Sequence, residues 1–397
     1  MTERLYYRDS YLKEFDAVVR SCAYDPAADR AFVSLDRTAF YPTSGGQPFD
    51  TGTLGGRRVV DVVDREDGDV AHIIEGSLEP GLQVHGTIDW ARRFDHMQQH
   101  TGQHLLSAAF DRTAQARTVS FHLGTASSTI DLSRDLRPDV ITRAESAANE
   151  VIWEDRAITV RFATADEAAR MPLRKEPARE GLLRLIDVEE FDLSACGGTH
   201  VRRSGEIGVI AISGWERFKG GSRVEFVCGG RALHAFRNSR DVLAASTRLA
   251  SVLPVELPGT IERLQNESKE LKRITKSLEE RLASFEADVL AARGSVINGR
   301  TLIIDAVEGE PNHLKALASA IVARPGHVAA LVTSTSPAQI VISRSRDVAL
   351  DVLQVLNALT ARFGGRGGGR GQMAQGGGLS AAVPEILQAV RQLLAES

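Results

Sequence analysis

Residues 91–111 read ARRFDHMQQHTGQHLLSAAFD, and the fold turns on how they are read. Phe94, Met97, Leu105 and Ala108 follow a helical repeat, which Gly102 weakens only slightly. The 90 residues before it keep a different period. AFVSLDRTAFYP (31–42) and RRVVDVV (57–63) are rich in β-branched and aromatic residues, and SGGQPFDTG and REDGD between and after them are turn chemistry. LEPGLQVHGTIDW (78–90) adds a turn and a strand. Residues 1–90 therefore predict a small β-barrel or twisted sheet.

Beyond the helix, DLRPD leads into a second one over Asp139–Glu154, with Pro138 near its start. Alternation returns in AITVRFA, GLLRLIDVEEFD and SACGGTHVRRSGEIGVIAISG, so residues 91–240 read as α+β. Residues 241–292 predict a helical arm or short coiled coil. Positions 257, 261, 264, 271, 278, 282, 285 and 289 are apolar at heptad-like steps, weakened by Ser268 and Thr275; a plain surface helix is the alternative. Residues 293–397 read as an α/β module. TLIIDAV, HVAALVTS and AQIVISRS are its strands, and HLKALASAIVAR and VLQVLNALTARF its helices. The tract FGGRGGGRGQMAQGGG, with nine glycines, interrupts this module; a flexible linker is one reading, against which it lies between two helices that both belong to the fold. The whole is an α+β chain.

At 397 residues and 43% apolar content the chain predicts two or three domains with real cores. Cys22, Cys196 and Cys228 are too few for a disulfide framework and fit a reducing, cytoplasmic setting. The start MTERLYYRDS has no signal-peptide pattern, and no uncharged apolar run approaches 18 residues, so no membrane partner is expected. A formal charge of −4 argues against a protein that coats nucleic acid indiscriminately. Local arginine clusters remain: Arg362, Arg366 and Arg370 among glycines, and Arg217 with Lys219 and Arg223.

The chemistry concentrates in two places. His96, His100 and His104 stand at successive four-residue steps and share one helical face. Cys196 and His200 flank Gly197 and Gly198, which let the backbone turn both side chains toward one point. A thiolate with two or three imidazoles suits Zn2+. The residues between His100 and His104 are TGQ, so the glutamate of an HExxH metalloprotease is absent.

These stretches resemble the alanyl-tRNA editing proteins, relatives of the editing domain of alanyl-tRNA synthetase. HTGQHLLSAAF (100–110) resembles the family's HxxxH helix, SACGGTHVRRSGEIG (194–208) its CxxxH loop, TAFYPTSGGQPFDTG (38–52) its glycine-rich element and SFHLGTASSTIDL (120–132) its following strand. GGRGGGRGQMAQGGG (364–378) is similar to the DHHA1 module of the long forms, which is associated with tRNA binding. The resemblance implies that His100, His104, Cys196 and His200 hold the metal and that His96 does not. It implies a trans-editing hydrolase that removes serine, or glycine, from mischarged tRNA(Ala), without amino-acid activation, because no ATP site is readable ahead of the editing-like residues.

Within that reading Thr38 is the candidate partner for the serine hydroxyl and Gln47 a second polar group of the pocket. Ser44, Gly45 and Gly46 would meet the terminal adenosine, Ser44 standing where the family often has a third glycine. His122 lines the pocket or is a plain strand histidine. Glu216 and Arg217 would orient neighbouring groups or the tRNA end, and Arg362, Arg366 and Arg370 would meet phosphate. Cys228 reads as packed sulfur. Two rival readings stay open: a zinc-stabilised tRNA-binding protein without catalysis, and a hydrolase of seryl-tRNA(Thr). A homodimer through the arm or the C-terminal domain also stays open.

Overall fold

The computed structural model describes residues 1–175 and 181–397, which form two compact units, Met1–Ala245 and Ser246–Ser397. In the first, β1 (Glu3–Arg4), β2 (Glu14–Asp25), β3 (Arg30–Leu35), β4 (Arg37–Thr38), β5 (Gly52–Leu54), β6 (Arg57–Asp64), β7 (Val70–Glu75) and β8 (Gln83–Ile88) precede the first helix. Six of them close a barrel in the order β2-β3-β7-β6-β5-β8, while β1 and β4 make a short parallel pair. Its interior holds Val33 and Leu35, and Val84 and Ile88, at even spacing, and Val59 and Val62 on either side of a register shift in β6. The stretch 31–42, which reads as one strand, leaves the barrel after Leu35, pairs briefly with β1 at Arg37–Thr38, and then runs outside the ladders. Its backbone is taken by other partners: Tyr41 N–H donates to Asp50 at 2.6 Å and Ala39 C=O accepts from Arg93 at 2.6 Å.

The helix α1 (Trp90–Ala114) starts where Asp89 caps it by accepting from Arg92 N–H. Its first turn is pinned to the barrel. Arg93 and Asp50 are both fully buried; Arg93 Nε reaches Asp50 Oδ1 at 2.9 Å, and its other donors meet Ser10 C=O and Ala39 C=O. Every direction of that guanidinium is therefore answered, as a buried charge requires.

The chain continues as β9 (Thr118–Leu123), β10 (Ser128–Leu132), α2 (Pro138–Trp153), β11 (Ile158–Thr164), α3 (Ala165–Ala168), β12 (Leu182–Val188), β13 (Asp192–Ala195), β14 (Ile210–Phe218), β15 (Gly221–Cys228) and α4 (Gly229–Ala250). Two antiparallel sheets, β14-β15-β10-β9 and β11-β12-β13, pack with α1 and α2 around Met97, Leu106, Phe110, Ile152 and Phe226. Gly102 lies mid-helix because a Cβ there would sit 2.3 Å from Cys228 Sγ. Cys228 is thus the packed sulfur that its sequence suggests.

The second unit holds α5 (Leu257–Ala291), β16 (Ser295–Ile297), β17 (Arg300–Val307), α6 (Pro311–Val322), β18 (His327–Thr333), β19 (Ala338–Arg344), α7 (Val352–Phe363), β20 (Arg366–Arg370), β21 (Met373–Leu379) and α8 (Val383–Glu396). Its six-stranded sheet runs β16-β17-β18-β19-β21-β20. One face packs on α6 and the end of α5 through Leu314, Leu317, Ala283 and Ala287, the other on α7 and α8 through Leu356, Leu359 and Ile386. The glycine tract is a strand hairpin at the edge of this sheet, which decides against the flexible-linker reading. A Cβ on Gly367 would lie 2.6 Å from Gln375 O and 2.8 Å from Leu356 Cδ2, so these glycines give close packing rather than freedom. Along α5, Leu264, Leu271, Leu278 and Leu282 are exposed. Among the described residues, no helix is long and apolar enough to cross a membrane.

Candidate metal centre

Two elements bring four donors together. The helix α1 presents His100 and His104 one turn apart, and the loop after β13 returns Cys196 and His200 to the same point. One ligand atom from each lies within 4.8 Å of all the others. Cys196 Sγ stands 3.4 Å from both His100 Nε2 and His200 Nε2. A tetrahedral zinc with bonds of about 2.0 Å to nitrogen and about 2.3 Å to sulfur sets N and S roughly 3.5 Å apart, so the spacing fits that ion. The four side chains could hold a metal.

Each imidazole is turned toward this point by a separate bond on its other nitrogen. His104 Nδ1 donates to Asp192 Oδ2 at 3.2 Å, and Asp192 is itself held by Arg174 and Ser194. His200 Nδ1 lies 3.2 Å from Thr101 Oγ1, whose own proton goes to Met97 C=O, so the hydroxyl accepts. His100 Nδ1 lies 2.8 Å from Gln47 Oε1. All three rings thereby engage Nδ1 outward and turn Nε2 toward the common point, the orientation a metal needs. Nothing in the sequence alone singles out Asp192, Arg174, Thr101 or Thr199, which bonds Gln47.

Burial opposes charge at this site, and the neighbours decide the outcome. Burial would lower His104, yet hydrogen bonds to Asp192 and Cys196 outweigh it and raise the group to about 9. Burial, then His100, push His200 down to about 3. Burial would raise the Cys196 thiol, but His100 and His200 hold it well below the usual range. Asp192, despite burial, is held below the usual carboxylate range by His104 and Arg174. A thiolate beside the neutral His200 ring offers two ready soft-metal donors, while His104 keeps a proton that a metal would have to displace.

Three family models match the chain. "tRNA synthetases class II (A)" matches residues 13–92, the span of the barrel; "Threonyl and Alanyl tRNA synthetase second additional domain" matches 183–225; and "DHHA1 domain" matches 299–396. The alanine–tRNA ligase of Pyrococcus abyssi is 33% identical over 391 residues, 94% of this chain but 42% of the ligase. The chain thus spans less than half the length of such ligases. The alanyl-tRNA editing protein AlaX-L of Pyrococcus horikoshii is 28% identical over 393 residues, covering 95% of this chain and 94% of that protein. The chain is thus similar over nearly its whole length to an alanyl-tRNA editing protein. A solved C-Ala domain of the Aquifex aeolicus alanyl-tRNA synthetase shares 25% identity over 26% of this chain and 97% of that one, at a TM-score of 0.24, too low to bear on the fold.

The other anticipated residues fall into three groups. Gln47 joins the metal cluster through His100, and Ser44–Gln47 forms the tight turn that carries it, with Gly45 and Gly46 at positive φ. A Cβ on Gly46 would lie 2.6 Å from the Phe121 ring, whose centroid is 5.8 Å from that of His100. Thr38 is fully buried, and its hydroxyl meets His72 Nε2 at 2.7 Å and accepts from Phe40 N–H, bonds made inside the barrel. His96 is buried with Nδ1 unpartnered, and burial pushes it down to about 4. His122 is exposed on β9, and Arg217 is exposed and paired with Asp135 at 2.5 Å. Arg362, Arg366 and Arg370 are exposed in the second unit, the last two at the ends of β20.

Proposed function

We propose that the chain is an aminoacyl-tRNA deacylase that hydrolyses the ester of serine, and of glycine, on tRNA(Ala) in trans, with zinc held by His100, His104, Cys196 and His200. The observation that carries this is the convergence of three Nε2 atoms on one sulfur in a chain colinear with an editing protein. Bound zinc supplies Lewis acidity that polarises the ester or lowers the pKa of water. The protein's own groups do the positioning. The exposed Gly45-Gly46 turn offers backbone for close approach by the terminal adenosine. Asp192 keeps the proton of His104 on Nδ1. Thr38 reads serine as an acceptor: His72 Nδ1 donates to Val33 C=O at 3.1 Å, so His72 Nε2 takes the Thr38 proton, and the oxygen, which already accepts from Phe40 N–H, keeps one further lone pair. A hydroxyl-specific contact of this kind discriminates serine from alanine where a steric sieve cannot. Arg366 and Arg370 share one face of β20, on a two-residue period, and serve as phosphate contacts for tRNA.

A zinc-stabilised binding protein without chemistry is the second reading, favoured by a donor set already complete at four. Purified full-length protein with seryl-, glycyl- and alanyl-tRNA(Ala), and seryl-tRNA(Thr), separates them. Seryl-tRNA(Ala) should be deacylated and alanyl-tRNA(Ala) spared. If zinc-loaded protein binds the tRNA yet leaves the seryl ester as long-lived as buffer does, the enzyme reading fails.

A further inference from the structure

We infer that Gln47 is a positioning residue of the metal centre, reaching from the barrel to fix the tautomer of His100, and not a contact for the substrate. The orientation of its amide is settled by chemistry. Thr199 N–H can only donate, and it lies 3.0 Å from the atom placed as Oε1, so that atom is the oxygen. The Gln47 Nε2 end then donates to Thr199 Oγ1 at 2.8 Å. With the amide fixed at both ends, its oxygen must accept from His100 Nδ1, and His100 must present Nε2 to Cys196. No donor or acceptor of this buried amide faces outward; Gln47 and Thr199 are both fully buried.

The same side chain binds the two halves of the donor set. His100 comes from α1, Thr199 from the Cys196–His200 loop, and Gln47 bridges them. Gly198 makes room for the bridge, since a Cβ there would lie 2.1 Å from His100 Cε1 and 3.0 Å from Gln47 Oε1. A turn in the barrel, Ser44–Gln47, is therefore part of what sets metal affinity 53 residues along the chain.

The inference rests on the zinc reading of the cluster but not on the tRNA substrate, and its test uses the full chain. Zinc affinity is measured by chelator competition for wild type, Gln47→Leu, Gln47→Glu and Thr199→Val, with thermal unfolding of each metal-free protein as control. Gln47→Leu should weaken zinc about 10- to 100-fold. Gln47→Glu, which still accepts from His100, should restore wild-type affinity within a few-fold. Thr199→Val keeps the backbone donor and should lose less than Gln47→Leu. Nitrogen-15 spectra of zinc-loaded wild type should show His100 protonated on Nδ1, a readout that needs no variant to fold. Nδ1 found bare, Gln47→Leu binding zinc as tightly as wild type, or Gln47→Glu as weak as Gln47→Leu would each overturn the inference. Gln47→Leu that keeps zinc but loses seryl-tRNA hydrolysis would return Gln47 to the substrate pocket. A wild type that binds zinc and hydrolyses nothing defeats the proposed function and leaves this inference standing.

Discussion

Glycine does opposite work in the two units. In the first, Gly46 and Gly198 yield space to side chains: the Phe121 ring lies over one and the His100 ring over the other. In the second, Gly367 and Gly369 let β20 lie against β21 and α7, with would-be Cβ contacts of 2.5–2.8 Å to Ala374 Cα, Gln375 O and Leu356 Cδ2. One set shapes a reactive centre, and the other shapes a sheet. Two glycine-rich stretches that look alike as letters therefore differ in what a methyl group would destroy.

The largest expected effect follows from that contrast. Gly198→Ala should abolish seryl-tRNA hydrolysis and cost about 100-fold or more in zinc affinity, since the added carbon falls on a ligand ring. Metal analysis after dialysis against a weak chelator, beside an activity assay, checks it; retained zinc at full occupancy would break the comparison. Asp192→Asn comes next. It removes the carboxylate that receives the His104 proton, and zinc affinity should fall about 10- to 100-fold while the second unit unfolds at an unchanged temperature.

The pH dependence sharpens the first side of the comparison. In the metal-free protein His104 is raised to about 9, so near pH 7 zinc must displace its proton. Affinity should climb about tenfold per pH unit from 7 toward 9 and then level. The His104 contribution to stability of the metal-free protein runs the other way. A raised histidine contributes stability that is full below its unfolded value of about 6.5 and is lost as pH rises through about 9. The Cys196 thiolate contributes with the opposite sign, so calorimetry compares metal-free wild type with His104→Gln between pH 6 and 10; the stability difference between them should shrink as pH rises, and a difference that grows would contradict it.

The smallest effect belongs to the sheet. Gly367→Ala should destabilise the second unit by about 1–3 kcal/mol through overpacking and leave zinc affinity untouched. Replacing Arg362, Arg366 and Arg370 with alanine should leave both unit stability and zinc unchanged. It should flatten the salt dependence of tRNA binding by about 0.7 to 0.9 log–log units for each phosphate that an arginine no longer neutralises.

The parts legible in the sequence are those encoded locally. His100 and His104 announce themselves because four residues make one helical turn, and Cys196 and His200 because two glycines stand between them. Asp192 does not. It lies 88 residues from the histidine it holds, and an aspartate opening a strand has no local mark of that duty. Thr38 is legible as a polar residue in a strand-rich stretch, but not its bond to His72 on β7, which depends on how the barrel closes. The glycine tract is conspicuous yet misleading, because a run of glycines states the absence of a side chain without stating what occupies its place.

The buried pin between Arg93 and Asp50 bears on how this protein can be taken apart. A cut near residue 90, where strand pattern gives way to helix pattern, looks natural in the sequence. It would part Arg93 from Asp50 and from the Ser10 and Ala39 carbonyls, removing the contacts that fix the first turn of the helix that carries two of the four donors. Barrel and helix should therefore appear and vanish as one cooperative block in synthesis, in proteolysis and in any attempt to graft the reactive centre elsewhere.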